Sequence, residues 1–360
     1  MRNNALIQMM SGRYYQGCGV LDRLGGEAAL LGKRALIVCD GTVWPKVQSR
    51  VQESLDAQGV TYAVYTFSGL CSPAHYLAAV EQGQGCALVI GIGGGRAVDA
   101  AKIAADKLGV RVITVPTSAS TCAATAWLAV HYEDDGHFLG NYWSAYSPFA
   151  TLVDLDVVAL DCPQRYLVAG IIDAMAKYPE ILYNNQHLST WEVNVFSHTA
   201  ATVAKESFHL LLERGGQAME DCAAHRVTRC VEDVICDAIS VTGLTSVLAC
   251  GGKQAAVSHS VYAWLCNEHP ELSRQFVHGE LVGATLPYQM LAAGIDGETV
   301  EAFVRFCRAH GAPVCLEDLG LSCDAGEMER LFGYLRSAMP IEEDAEYRRL
   351  WDLREAMCRI

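Results

Sequence analysis

Apolar positions in the first 160 residues fall into two alternating rhythms. Continuous or alternating runs at Ala35–Asp40, Thr61–Phe67, Ala87–Ile92 and Val110–Val115 read as strands, the last ended by Pro116. Between them, Val20–Leu31, Val47–Gln58 and Pro73–Gln82 repeat apolar residues at helical spacing, as does the stretch after Gly95 (Ala97, Ala100, Ala101, Ile103). This β-α-β-α-β order predicts a parallel sheet with helices on both faces. Leu6–Met10 and Tyr14–Tyr15 predict short leading strands, with Gly17 and Gly19 as breakers. Ala126–Tyr132 and His137–Tyr142 flank Asp135-Gly136, a hairpin signal.

After Asp161-Cys162-Pro163 the rhythm is almost wholly helical. The chain therefore divides, on pattern, into an α/β domain over 1–161 with a Rossmann-like sheet and an all-α domain over 162–360. The most apolar later stretch, Val234–Cys250, carries Asp237, Ser240, Thr242 and Thr245, so it reads as a buried helix and not a membrane span. The opening residues lack an apolar core of the kind that marks a signal peptide.

Composition narrows the function classes. Half the 360 residues are hydrophobic, enough for a large core. A formal net charge of −14 sets aside nucleic acid and anionic membranes as partners, while leaving small anionic ligands open. The 15 cysteines are odd in number, contain no Cys-x-x-Cys, and often sit in apolar runs (Cys39, Cys86, Cys236, Cys250). They read as reduced small hydrophobes, and the expected compartment is the cytoplasm.

The most informative stretch is CALVIGIGGGRAVDAAK, residues 86–102. A buried strand runs into Gly93, Gly94 and Gly95 and then directly into a helix. Such a junction lets backbone N–H groups approach a phosphate at a helix N-terminus. The strict dinucleotide fingerprint fails, because Arg96 stands where its third glycine belongs. Asp40 ends a strand, where an acid can accept from ribose hydroxyls, or can merely cap the turn at Gly41-Thr42. Thr117, Ser118, Ser120 and Thr121 offer hydroxyls at the expected ligand edge of the sheet. Asp173 lies in the apolar helix 166–180, where a carboxylate needs a cation, and Lys177 one turn on can supply one. His259 and His278, each entering a helical run, could complete a three-ligand metal site with Asp173. Spacing alone does not separate them from His187, His198, His209, His225 and His269.

Six pieces occur in an order that resembles the glycerol dehydrogenase branch of the iron-containing alcohol dehydrogenase superfamily, which also includes dehydroquinate synthase. They are GCGVLDRLGGEAALLGKRALIVCD, GIGGGRAVDAAK, VPTSAST, the EDDG hairpin, RYLVAGIIDAMAKY and FVHGELVG. The second resembles the pattern Gly-Gly-Gly-x-x-x-Asp-x-Ala-Lys, which places Asp99 in the cofactor motif. The resemblance implies NAD, with Gly93–Gly95 cradling its pyrophosphate. Thr117, Ser120, Thr121, Leu128 and Tyr132 would lie along the cofactor, and Asp40 would favour NAD over NADP. It further implies one divalent metal, zinc before iron, on Asp173, His259 and His278. The active site is expected in a cleft between the two domains, and the chain is expected to form a homo-oligomer. The implied reaction is hydride transfer between NAD and a small alcohol whose hydroxyl the metal activates.

Several positions depart from that pattern. Ile172 replaces the usual glycine before the ligand aspartate, and Pro179 should kink or end the ligand helix. Cys122 stands where glycerol dehydrogenases carry an aspartate, and Tyr262 where a second histidine is frequent. With Lys177, Cys122 resembles a sister group acting on 2-hydroxy acids, so a hydroxyacid is favoured over glycerol. The alternatives are a dehydroquinate synthase-like cyclase, an sn-glycerol-1-phosphate dehydrogenase, and a non-catalytic nucleotide-binding homologue. The cyclase's Asn-x-Gly-His-Thr pattern is missing around His259.

Overall fold

In the computed structural model the described residues are 9–187, 193–249, 255–339, 341 and 343–360. Most of the strand expected at Leu6–Met10, and Cys250, lie outside them. Eight strands are present: β1 Tyr14–Gly17, β2 Arg34–Asp40, β3 Thr61–Phe67, β4 Leu88–Gly93, β5 Arg111–Pro116, β6 Leu128–Tyr132, β7 Phe138–Trp143 and β8 Ala150–Asp154. Six form a parallel sheet in the order β1-β8-β5-β4-β2-β3, and β6 pairs antiparallel with β7 as the expected hairpin. Helices α1 Leu24–Ala29, α2 Trp44–Asp56, α3 Pro73–Gln82 and α4 Gly95–Leu108 connect the strands.

Side-chain alternation explains the two covered faces. Ala35, Ile37 and Cys39 of β2 join Leu88, Ile90 and Ile92 of β4 in one core with Val47, Val51 and Leu55 of α2. Leu36, Val38 and Val89 face the other way, onto Tyr76 and Ala79 of α3 and Ala97, Ala101 and Ala104 of α4. β8 had no counterpart in the sequence reading. Its five residues are all buried, because it lies between β1 and β5.

The rest is helical among the described residues: α5 Gln164–His187, α6 Val195–Ala223, α7 Arg229–Cys236, α8 Thr242–Leu248, α9 Val257–Glu268, α10 Leu272–Gln275, α11 His278–Gly283, α12 Leu286–Ala292, α13 Gly297–Ala309, α14 Ala325–Ala338, α15 Asp344–Asp352 and α16 Glu355–Cys358. Two compact units emerge. One contains residues 9–167 and 220–244, and the other contains 168–219 and 245–360. The second half is thus not one block, because residues 220–244 pack with the sheet. There Thr125 donates to the carbonyl of Ile239 (2.7 Å), and Gly243 lies against the Thr125 side chain with no room for a Cβ. Val234–Leu248 is helical, as expected, and among the described residues no helix is long and apolar enough to cross a membrane.

Candidate functional site

Asp173, His259 and His278 come together. Their ligand atoms lie within 4.8 Å of one another, and among the described residues this is the one group of three or more His, Cys, Asp or Glu that could hold a metal. Asp173 Oδ1 is 3.4 Å from Nε2 of both His259 and His278. Three donors around a tetrahedral zinc at 2.0–2.1 Å would stand roughly 3.3 Å apart, so little movement is needed to close on an ion.

Three local features produce this geometry. Asp173, Lys177 and Glu180 share one face of α5 at i, i+4 and i+7. Glu180 is fully buried and accepts from the backbone N–H groups of Ala256 and His259 at the start of α9 (both 2.9 Å). Its other oxygen is 2.5 Å from His259 Nδ1, which leaves Nε2 pointing at Asp173. His278 opens α11, and the next residue, Gly279, presses on the α5 backbone. A Cβ there would stand 1.9 Å from the carbonyl oxygen of Ala169. His278 is further braced edge-on by Tyr262, ring centroids 4.3 Å apart.

The departures from the family pattern acquire physical explanations. Ile172 is accommodated because Gly283 of α11 faces it, with no room for a side chain of its own. Pro179 neither ends nor interrupts α5, which runs on to His187. Its carbonyl accepts from Gln289, whose side-chain oxygen also takes the N–H of Val257. Lys177 makes the ion pair with Asp173 (3.0 Å) and lies 3.2 Å from His259 Nε2. Burial works against the Asp173 carboxylate, yet Lys177 and the two imidazoles hold it well below the ordinary carboxylate range. Burial likewise opposes a charged Glu180, and His259 holds it low. Burial pushes His278 below the usual histidine value, so it remains a neutral donor.

The glycine turn forms the second constellation. Gly93 has φ of +149°, and a Cβ there would stand 2.7 Å from that of Ala97 and 3.2 Å from that of Asp40. Gly94 caps α4, and Gly95 lies against the Thr121 hydroxyl, with Ser118 near Gly94. Thr117 donates its N–H to the Gly93 carbonyl, and Ser118 and Ser120 share a hydrogen bond. The hydroxyl loop is therefore folded onto the half-buried N-terminus of a 14-residue helix. Asp40 Oδ1 takes both the N–H and the hydroxyl of Thr42, the turn arrangement.

Two expected contacts need correction. Asp99 is turned inward: it accepts from Val130 N–H (3.0 Å) and pairs with buried Lys102 (2.8 Å). A carboxylate committed to two internal donors positions the loop and is not available to a cofactor. Tyr132 is likewise buried, edge-on to Phe138, with its N–H on the Cys71 carbonyl. Leu128, half-buried, contributes its carbonyl to Lys102. Lys102 itself escaped the sequence reading, although it closes the quoted motif. Its ammonium also holds the carbonyls of Ala123 and Ala126 and so ties down the whole loop. Cys122, half-buried, starts that turn by accepting from Thr125 and Ala126. Glu180 was also missed, since nothing in the local sequence joins it to His259.

Residues 11–155 match the family described as iron-containing alcohol dehydrogenase. A glycerol dehydrogenase of Escherichia coli O6:H1 is 32% identical over 323 residues, covering 89% of this chain and 86% of the relative. Hydroxycarboxylate dehydrogenase A of Escherichia coli K12 is 29% identical over 299 residues, covering 83% and 78%. Among solved structures, a "probable glycerol dehydrogenase" from Sinorhizobium meliloti superposes with a TM-score of 0.82 at 26% identity, covering 98% of each chain.

Proposed function

The chain belongs to the iron-containing alcohol dehydrogenase family, in its glycerol dehydrogenase-like branch, and from that membership we propose that it is a metal-dependent, NAD-linked oxidoreductase of a small 2-hydroxy acid. The observation that carries the reading is the Asp173–His259–His278 set, with Asp173 buried, the two histidines half-buried and Glu180 orienting His259. Two imidazoles and one carboxylate suit zinc and ferrous iron alike. The glycine turn suits a dinucleotide, because Gly94 and Gly95 bring no side chain of their own to the N-terminal N–H groups of α4, which a pyrophosphate can then approach, while a Cβ at Gly93 would collide with Ala97 and Asp40.

When bound, the metal supplies a Lewis acid for the substrate oxygen and the nicotinamide supplies the hydride acceptor. The protein does the rest. Asp173, His259 and His278 hold the ion, Glu180 keeps the His259 tautomer, and burial excludes bulk water from Asp173. The N-terminus of α4 and the hydroxyls of Thr117, Ser118, Ser120 and Thr121 hold the dinucleotide, with Asp40 beside Gly93 at the ribose end. Lys177 gives the reading its substrate class. An ammonium and a dication repel by about 8 kcal/mol at 4 Å under an effective dielectric of 20, so they cannot share Asp173 Oδ1. Loading the site frees the Lys177 ammonium for a substrate carboxylate. The reduced cysteines support a cytoplasmic setting.

The decisive assay follows NADH oxidation with 2-oxo acids, dihydroxyacetone and dihydroxyacetone phosphate, each with zinc, ferrous iron or chelator. Turnover of the oxo acids that chelator abolishes supports the reading. Intact NADH binding without turnover of any carbonyl overturns it, and turnover of dihydroxyacetone alone removes the hydroxyacid assignment.

A further inference from the structure

Three sulfur-bearing side chains line one cavity of about 500 Å³, far along the chain from Asp173 and the two histidines. Cys323 lies in the turn before α14, Met328 in the first turns of α14, and Cys358 at the end of α16. Cys358 Sγ is 3.7 Å from the Met328 sulfur, and Cys323 lines the same cavity wall with both. Met328 and Cys358 are buried, while Cys323 is half-buried and lines the cavity with them. Arg354 and Arg359 line the same cavity. Arg354 is fixed by stacking on Trp351 at 4.7 Å. None of these residues has a part in the dehydrogenase chemistry.

We propose that Cys323, Cys358 and Met328 form a binding site for one soft monovalent cation of the Cu(I) class. Thiolate and thioether donors select soft ions, whereas the imidazole–carboxylate set at Asp173 suits zinc or ferrous iron. Both thiols are held protonated, chiefly by burial, and both arginines pull Cys358 the other way. Loading exchanges two thiol protons, released to solvent, for the cation, with no change in oxidation state. Two thiolates, one thioether and Cu(I) carry a net charge of −1, which Arg354 and Arg359 are placed to offset. Glu317, Asp324 and Glu355 at the cavity wall oppose this charge and temper the affinity.

The test is an anaerobic titration of the full chain with Cu(I), in competition with bathocuproine disulfonate. The wild type is compared with Cys323→Ser, Cys358→Ser and Met328→Leu. The expected result is one tightly held equivalent in the wild type, absent from both serine variants and bound at least tenfold more weakly by Met328→Leu. X-ray absorption should show sulfur ligands only. Equal Cu(I) uptake by the wild type and the Cys323→Ser/Cys358→Ser double variant overturns the proposal, since the remaining cysteines would then account for all binding. Should the serine variants misfold, the near-isosteric Met328→Leu decides: unchanged affinity there, or nitrogen and oxygen ligands in the wild-type spectrum, also overturns it. Zinc-loaded dehydrogenase turnover should stay unchanged in every variant.

Discussion

At Asp173 a single carboxylate oxygen is claimed by an ammonium and two imidazoles. Lys177 is therefore the counter-charge of the metal-free protein, and removing it has opposite effects on the two forms. Lys177→Met should destabilise the chelated protein by about 3–5 kcal/mol, the cost of stranding a buried charge. The loaded protein should lose little, and its metal affinity should rise. Melting curves with and without chelator check both halves, and equal losses in the two forms would refute the role. Glu180→Gln keeps the shape but weakens the His259 Nδ1 partner, so metal affinity should fall by about 10–100-fold. A metal-competition titration measures this, and an unchanged affinity would detach Glu180 from the site.

Packing between elements sets the position of His278, because α11 touches α5 through Gly279. Gly279→Ala should push the two helices apart, with loss of bound metal and at least a hundredfold drop in kcat, while circular dichroism keeps its helical content. Lys102→Met should act on α4 and its loop. KM for NAD should rise more than kcat falls, because the carbonyls of Ala123, Ala126 and Leu128 lose their shared donor. Steady-state kinetics at varied NAD separate the two parameters. The elements around both sites were legible in the sequence because their periods are clean: Thr61–Phe67 and Pro73–Gln82 match their structural bounds. β8 was not legible. It is five residues long, two of them polar (Thr151 and Asp154), and follows the hairpin without a helix between, so periodicity offers no signal for a central strand. That Asp173, His259 and His278 come together was legible only through family likeness, since Asp173 and His259 stand 86 positions apart and their contact is made by packing. The contrary expectation for Asp99 came from the same likeness. A motif position says nothing about which way a carboxylate points.

Across the whole molecule, several carboxylates are held low by partners: Asp173 and Glu180 in the metal set, Asp318 by Arg308, and Glu346 by Arg349 and Tyr183, each against the opposing effect of burial. A folded pKa below the unfolded one stabilises above the unfolded value, near 4, and the contribution is lost as pH falls through the folded value. Metal-free protein should thus lose the carboxylate contribution progressively below about 4.5, while His131, His187 and His278, held below the usual histidine value chiefly by burial, already cost stability as pH falls through about 6.5, as urea midpoints across that range will show. The backbone itself passes from one compact unit to the other at 167/168, at 219/220 and again at 244/245. Residues 220–244 complete the sheet-bearing unit only after 52 residues of its neighbour, 168–219, have been made. During synthesis the ribosome therefore delivers the sheet-bearing unit unfinished: a nascent chain arrested once residue 167 has cleared the exit tunnel should be protease-sensitive there, and one arrested after position 244 has cleared it should be protected.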